Sequence, residues 1–170
     1  MAGKKRSGLA NDRRAYGCGR CYTPTNYDYT FTGNGVLTQA IVDENIGNAK
    51  NIFIVGYTSI GNSAFFGRTQ IRSVIIGNSV TLIGSFAFTS CASLTSITIP
   101  NSVTTIKGQS FTFCTSLTSI TIPNSVTSIS GNAFATPGLT NVTIANNQLG
   151  IQSPGTNVIF FGATVTTQLP

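Results

Sequence analysis

The chain has 170 residues, 41% of them hydrophobic and only 8% charged, with a net charge of +6. That length suits one domain with a real core, while the charge content lies far below the roughly 25% of an ordinary soluble domain. No run reaches the ~18 apolar residues of a membrane span, and the four cysteines are too few and too scattered for a disulfide scaffold.

Charge is concentrated at the start. Residues 1–20 hold Lys4, Lys5, Arg6, Arg13, Arg14 and Arg20 against Asp12 alone, and after Arg72 the single charged side chain is Lys107. The reading is a basic arm over residues 1–21, also carrying Tyr16, joined to a nearly uncharged body that presents Ser, Thr and Asn to its surroundings. So neutral a surface is expected to be partly covered by partners. The basic start contains no apolar h-region, since "SGLANDRRAYG" is polar, so an intracellular or virion location is the expectation.

Residues 22–50 read as an N-terminal cap. Tyr27, Tyr29 and Phe31 alternate with polar residues, "TGNGV" supplies a turn, and "VLTQAIV" follows, which predicts a β-hairpin bent at Asn34-Gly35.

Residues 51–145 are built from repeats. The twelve residues "SLTSITIPNSVT" occur at Ser93–Thr104 and again, unchanged, at Ser116–Thr127, which is 23 positions on. Three clear units follow from that alignment, starting at Ile71, Leu94 and Leu117 and ending at Gly138. A degenerate unit precedes them at Asn51–Gln70, and another begins at Leu139. Within a unit, Leu94, Ile97 and Ile99 are apolar among small polar residues, the period-2 signature of a strand with one buried face. Pro100-Asn101-Ser102 is a turn, Val103 and Ile106 form a second apolar step, and Phe111 and Cys114 close the unit. One unit cannot bury this set alone. Stacked units can, with equivalent strands pairing at about 4.8 Å. Residues 146–170, ending in "NVIFFGATVTTQLP", read as a C-terminal cap with a closing strand.

The pattern L-x-x-I-x-I-P-x-x-V-x-x-I, followed by a Phe and then a Cys three residues on, resembles the BspA-type leucine-rich repeat over about residues 50–145. The resemblance implies a right-handed solenoid with a strand on the concave side of each coil. It also implies roles in attachment and protein binding rather than catalysis. The family occurs in microbial surface proteins, protist proteins and large DNA viruses. The expected fold is therefore mainly β: a leucine-rich-repeat solenoid of about 4–5 coils on a 23-residue repeat, with an N-terminal hairpin cap and a basic arm.

Chemistry is sparse. There is no His, and no Asp or Glu after Glu44, so acid–base catalysis lacks its usual groups and the chain reads as non-enzymatic, with no cofactor. Cys18 and Cys21 have the C-x₂-C spacing of a metal pair, but a structural zinc needs four ligands, so unremarkable thiols are the expectation and a metal or disulfide the alternatives. Cys91 and Cys114 share one repeat position and read as buried apolar thiols. Ser96/Thr98, Ser119/Thr121 and Asn141/Thr143 should form outward ladders on the concave strands.

The leading expectation is a structural or interaction protein, a minor capsid or cement component of a large DNA virus, docking on other subunits through its arm and flat faces. Lys4, Lys5, Arg6, Arg13, Arg14, Tyr16, Arg20 and Tyr22 are the expected partner-binding residues. One alternative is a BspA-type cell-surface attachment module. Another is nucleic-acid binding by the arm, through phosphate contacts and stacking on Tyr.

Overall fold

In the computed structural model, which describes residues 27–144 and the strand Thr164–Thr167, the apolar residues of every unit point into one continuous column. The chain runs through β1 (Tyr29–Thr32), β2 (Val36–Leu37), the helix α1 (Gln39–Asn45), β3 (Asn51–Val55), β4 (Ser59–Ile60), β5 (Ser73–Ile76) and β6 (Leu82–Ile83). It continues through β7 (Ser96–Thr98), β8 (Thr105–Ile106), β9 (Ser119–Ile122), β10 (Ser128–Ile129), β11 (Asn141–Ile144) and β12 (Thr164–Thr167). Every strand pair is parallel, as stacking of successive coils requires. About five turns of solenoid result.

Each coil has three sides. The first carries the longer strands, the second the two-residue strands, and the third a run of turns. On the second side one five-stranded sheet, β2-β4-β6-β8-β10, spans the stack. Its register advances by 23 residues at every step, from Val36↔Ser59 to Thr105↔Ser128. The first side divides into a four-stranded sheet, β1-β3-β5-β7, and a three-stranded sheet, β9-β11-β12.

The ladder thins on the way to that division. The Gly77 N–H extends the β3–β5 ladder by donating to Ile54 O at 2.8 Å. At the same corner of the next two coils stand Pro100 and Pro123, which have no N–H to donate. The ladder accordingly shortens from four residue pairs between β3 and β5 to three between β5 and β7. Between β7 and β9 the pairing is lost along the whole strand, which is more than one missing donor removes. The identical "SITIP" segments therefore stack through their buried Ile side chains rather than through a continuous ladder.

The front of the molecule corrects the expected hairpin over residues 22–50. β1 and β2 do not pair with each other: β1 pairs with β3, and β2 with β4. The bend at Asn34-Gly35, with Gly35 at φ +70, is a solenoid corner, and its carbonyls serve the next coil, where Thr58 N–H donates to Gly35 O at 2.8 Å. "TQAIV" then forms α1 rather than a strand, with the Thr38 hydroxyl accepting from Ile41 N–H at its N-cap. Phe31, Leu37 and Val42 are buried, so this segment is the first full coil rather than a lid placed over it.

The corners of the first two coils are a residue shorter than the later ones. Seven positions separate Tyr29 from Val36 and Ile52 from Ser59, against eight from Val74 to Leu82, although these residues are in register from coil to coil. Gly56 closes the second of these short corners at φ +84, and a Cβ there would meet Gly33 O, in the first, at 2.2 Å. Tyr57 fills the core position that Val80, Val103 and Val126 occupy in later coils.

Candidate interaction surface

The third side is a stack of turns tied together by backbone hydrogen bonds. Phe65 N–H donates to Ala87 O at 2.7 Å, Phe88 N–H to Ser110 O at 2.8 Å, and Phe111 N–H to Ala133 O at 2.8 Å. Inside these turns Phe65, Phe88, Phe111 and Phe134 stack face to face, with centroid separations of 5.0, 5.4 and 5.2 Å and interplanar angles of 5°, 4° and 3°. Phe31 ends the column edge-on, at 5.7 Å and 82°. The rings lie nearly parallel because each repeat places its Phe one coil above the last.

One repeat position bonds each turn to the coil before it. Cys91 Sγ donates to Phe65 O and Cys114 Sγ to Phe88 O, each at 3.1 Å. In the final turn, shorter by one residue, the Thr136 hydroxyl takes this role and donates to Phe111 O. Burial pushes the Cys114 thiol up to about 12, and burial together with the neighbouring Cys114 pushes Cys91 further up still. Both are free thiols kept protonated at neutral pH, which fits packing and not nucleophilic or metal chemistry. In the first of these turns the position belongs to Arg68, whose guanidinium pairs with Asp43 of α1. Among the described residues no group of three or more His, Cys, Asp or Glu side chains is placed to hold a metal.

The outward ladders expected on the first side are present, with limits. Ser96, Thr98, Ser119, Thr121 and Asn141 are exposed and Thr143 is half-buried. Asn141 pairs with Ser119 and Thr143 with Thr121, whereas Ser96 and Thr98 stand on β7 across the division between sheets. Towards the front the Thr98 row passes through Ile75 and Phe53 to Thr30, while the Ser96 row stays polar through Ser73 and Asn51. A second series of threonines is committed to the backbone. Thr58, Thr81, Thr104 and Thr127 each donate a hydroxyl to a carbonyl of the preceding coil, at 2.9, 3.2, 3.2 and 3.3 Å. The expected partner-binding residues Lys4, Lys5, Arg6, Arg13, Arg14, Tyr16, Arg20 and Tyr22, and the pair Cys18 and Cys21, lie outside the described residues.

Sequence reasoning missed the outer face of the third side. Phe66, Phe86 and Phe113 project there with 48%, 39% and 57% of their surface exposed. Two of them hold left-handed backbone: Phe86 and Phe113 both have φ +59. Their positions are set by the turn, since Ser63, Gln109 and Asn132 occupy the Phe86 position in other coils at φ 56 to 59. Gly67 and Ser90 occupy the Phe113 position at φ 68 and 62. Left-handed backbone costs an L-residue roughly 1–2 kcal/mol, and a bulky side chain there is an outlier. The signal was available in the sequence as two places where an aromatic replaces a small or polar residue of the repeat.

A family model for the BspA type leucine rich repeat region matches residues 44–154 in six copies. The chain belongs to the BspA-type leucine-rich repeat family. Among solved structures, this BspA-type chain is similar to a leucine-rich repeat protein from Bacteroides ovatus, at 30% identity and a TM-score of 0.63. That match covers 71% of this chain and 30% of the other, so the chain spans under a third of that relative's length. A leucine-rich repeat protein from Bacteroides capillosus is 32% identical with a TM-score of 0.50, covering 54% of this chain and 65% of its own. The leucine-rich repeat protein TpLRR of T. pallidum shares the fold at 22% identity and a TM-score of 0.53, over 69% of this chain and 67% of its own. No curated protein matches. These relatives are bacterial, and nothing among them supports the virion-component expectation. Stacked repeats of this kind present extended binding surfaces. No helix among the described residues is long and apolar enough to cross a membrane.

Proposed function

We propose that this chain is a non-enzymatic protein-binding module of the attachment type, acting at a cell surface. The observation that carries the reading is the presentation of exposed side chains on a stacked, hydrogen-bonded backbone. Ser119, Thr121 and Asn141 stand exposed on paired strands, and three phenylalanines stand exposed on hydrogen-bonded turns. Display of this kind keeps the ordering cost of binding low. Similarity to leucine-rich repeat proteins of Bacteroides favours a bacterial-type attachment role over a place in a virus particle.

The test combines location with binding. Antibody labelling of intact cells of the encoding organism should detect the chain, and brief protease treatment of those cells should remove the signal. The purified chain should bind saturably to a protein in a panel of extracellular-matrix and cell-envelope proteins. Confinement to the cytosolic fraction, or to a virus particle, would overturn the attachment reading. Failure to bind any polypeptide would overturn the module reading itself.

A further inference from the structure

The third side carries more than its repeat requires. Phe86 and Phe113 stand on adjacent stacked turns, because Ser90, four residues after Phe86, donates its N–H to Thr112 O at 2.9 Å, next to Phe113. Phe86 in turn donates its own N–H to Gly108 O at 3.2 Å, which places Lys107 in the chain segment directly alongside it. Lys107 is exposed, and it is the only charged residue between Arg72 and the end of the sequence. The turn positions themselves do not call for aromatic rings. Other coils build the same left-handed backbone with Ser63, Gln109, Gly67 or Ser90, so both phenylalanines are costly to the backbone and exposed to water.

We propose that the edge formed by Phe86, Phe113 and Lys107 docks a partner polypeptide through a segment that sets an acidic side chain beside an apolar anchor. This rests on the protein-binding reading above and assigns it a surface. The two rings supply separate apolar anchors, and aromatic side chains dominate the energetics of protein interfaces. The lone cation has no acid on the same coils to pair with, so its complement comes from the partner's carboxylate. A second copy of the chain is a poor source of that carboxylate. Among the described residues Asp28 is engaged by the N–H groups of Lys50 and Asn51 and Asp43 by Arg68, and the remaining acid, the exposed Glu44, stands between Asp43 and Asn45 with no apolar residue next to it in sequence. Nucleic acid is disfavoured because a polyanion draws its affinity from several cations, and this edge offers one.

The full chain is panned against a display library of short randomised peptides, and enriched peptides are titrated against variants. Phe86→Ser and Phe113→Ser install the residues that Ser63 and Ser90 already provide in sibling turns, so the double variant should keep its unfolding midpoint. The expected peptides carry Asp or Glu next to Leu, Phe or Trp, and their affinity should fall about tenfold or more in the double variant. Lys107→Glu should weaken acidic peptides and favour basic ones. Enriched peptides without acids, equal binding by the double variant, competition by a single-stranded oligothymidylate, or loss of a self-associated species in the double variant would each overturn the proposal. Peptides that bind wild type and double variant alike would leave the protein-binding reading standing. The absence of any bound peptide, together with failure against the protein panel, would remove both.

Discussion

Phe111 and Phe113 are two residues apart on one turn, yet the first is fully buried and the second is 57% exposed. Phe111 recurs as Phe65, Phe88 and Phe134 and stacks on its copies. Phe113 does not recur, since its place is taken by Gly67 and Ser90 in the two preceding coils. The inner set follows the repeat and holds the coils together. The outer set departs from the repeat, strains the backbone and faces the solvent. Where a solenoid copies itself, the copied residues report on stacking, and the uncopied ones are where selection for something else becomes visible.

Breaking the inner column should have the largest effect. Phe111→Ala removes a ring packed between Phe88 and Phe134 and should lower stability by about 3–5 kcal/mol, measured by chemical denaturation. A loss under about 1 kcal/mol would mean that the stack is not the core of the fold. Next comes the second short corner. Gly56→Ala places a Cβ 2.2 Å from Gly33 O at a φ of +84, and should cost about 1–3 kcal/mol while Gly35→Ala, with open space around it, costs less.

A smaller effect should come from Asp28, which fastens the first coil. Its carboxylate accepts from Lys50 N–H at 2.8 Å and Asn51 N–H at 2.9 Å, and these backbone bonds hold its pKa below the usual carboxylate value. A lowered folded-state pKa stabilises the fold at pH values above the ordinary carboxylate range. The contribution is lost as pH falls through the lowered value. Amide exchange at Lys50 and Asn51, corrected for intrinsic rates, should therefore lose protection on acidification, and Asp28→Asn should flatten that dependence. Unchanged protection across the acid range would remove Asp28 from this role.

Much of this was legible in the sequence, for a physical reason. The duplicated "SLTSITIPNSVT" fixed the 23-residue coil, and Leu94 is buried in line with Ile71 and Leu117 as the alignment implies. The front was misread because "TGNGV" between two apolar runs has the chemistry of a hairpin turn and of a solenoid corner alike. Only the pairing partners, β3 and β4, distinguish them. The division of the first side falls between β7 and β9, whose "SITIP" segments are identical, so the strand pattern does not reveal it. The exposed phenylalanines were overlooked because a Phe in a repeat reads as core by default, and Phe86 and Phe113 sit two residues from the Phe that is.

The most direct test of the division between inner and outer rings is a paired measurement on the Phe86→Ser/Phe113→Ser double variant: denaturant unfolding beside titration of an acidic, apolar-anchored peptide. The account predicts an unfolding free energy within about 0.5 kcal/mol of the parent, or higher, with peptide affinity reduced about tenfold or more. A variant that loses stability while binding the peptide as tightly as the parent would contradict it.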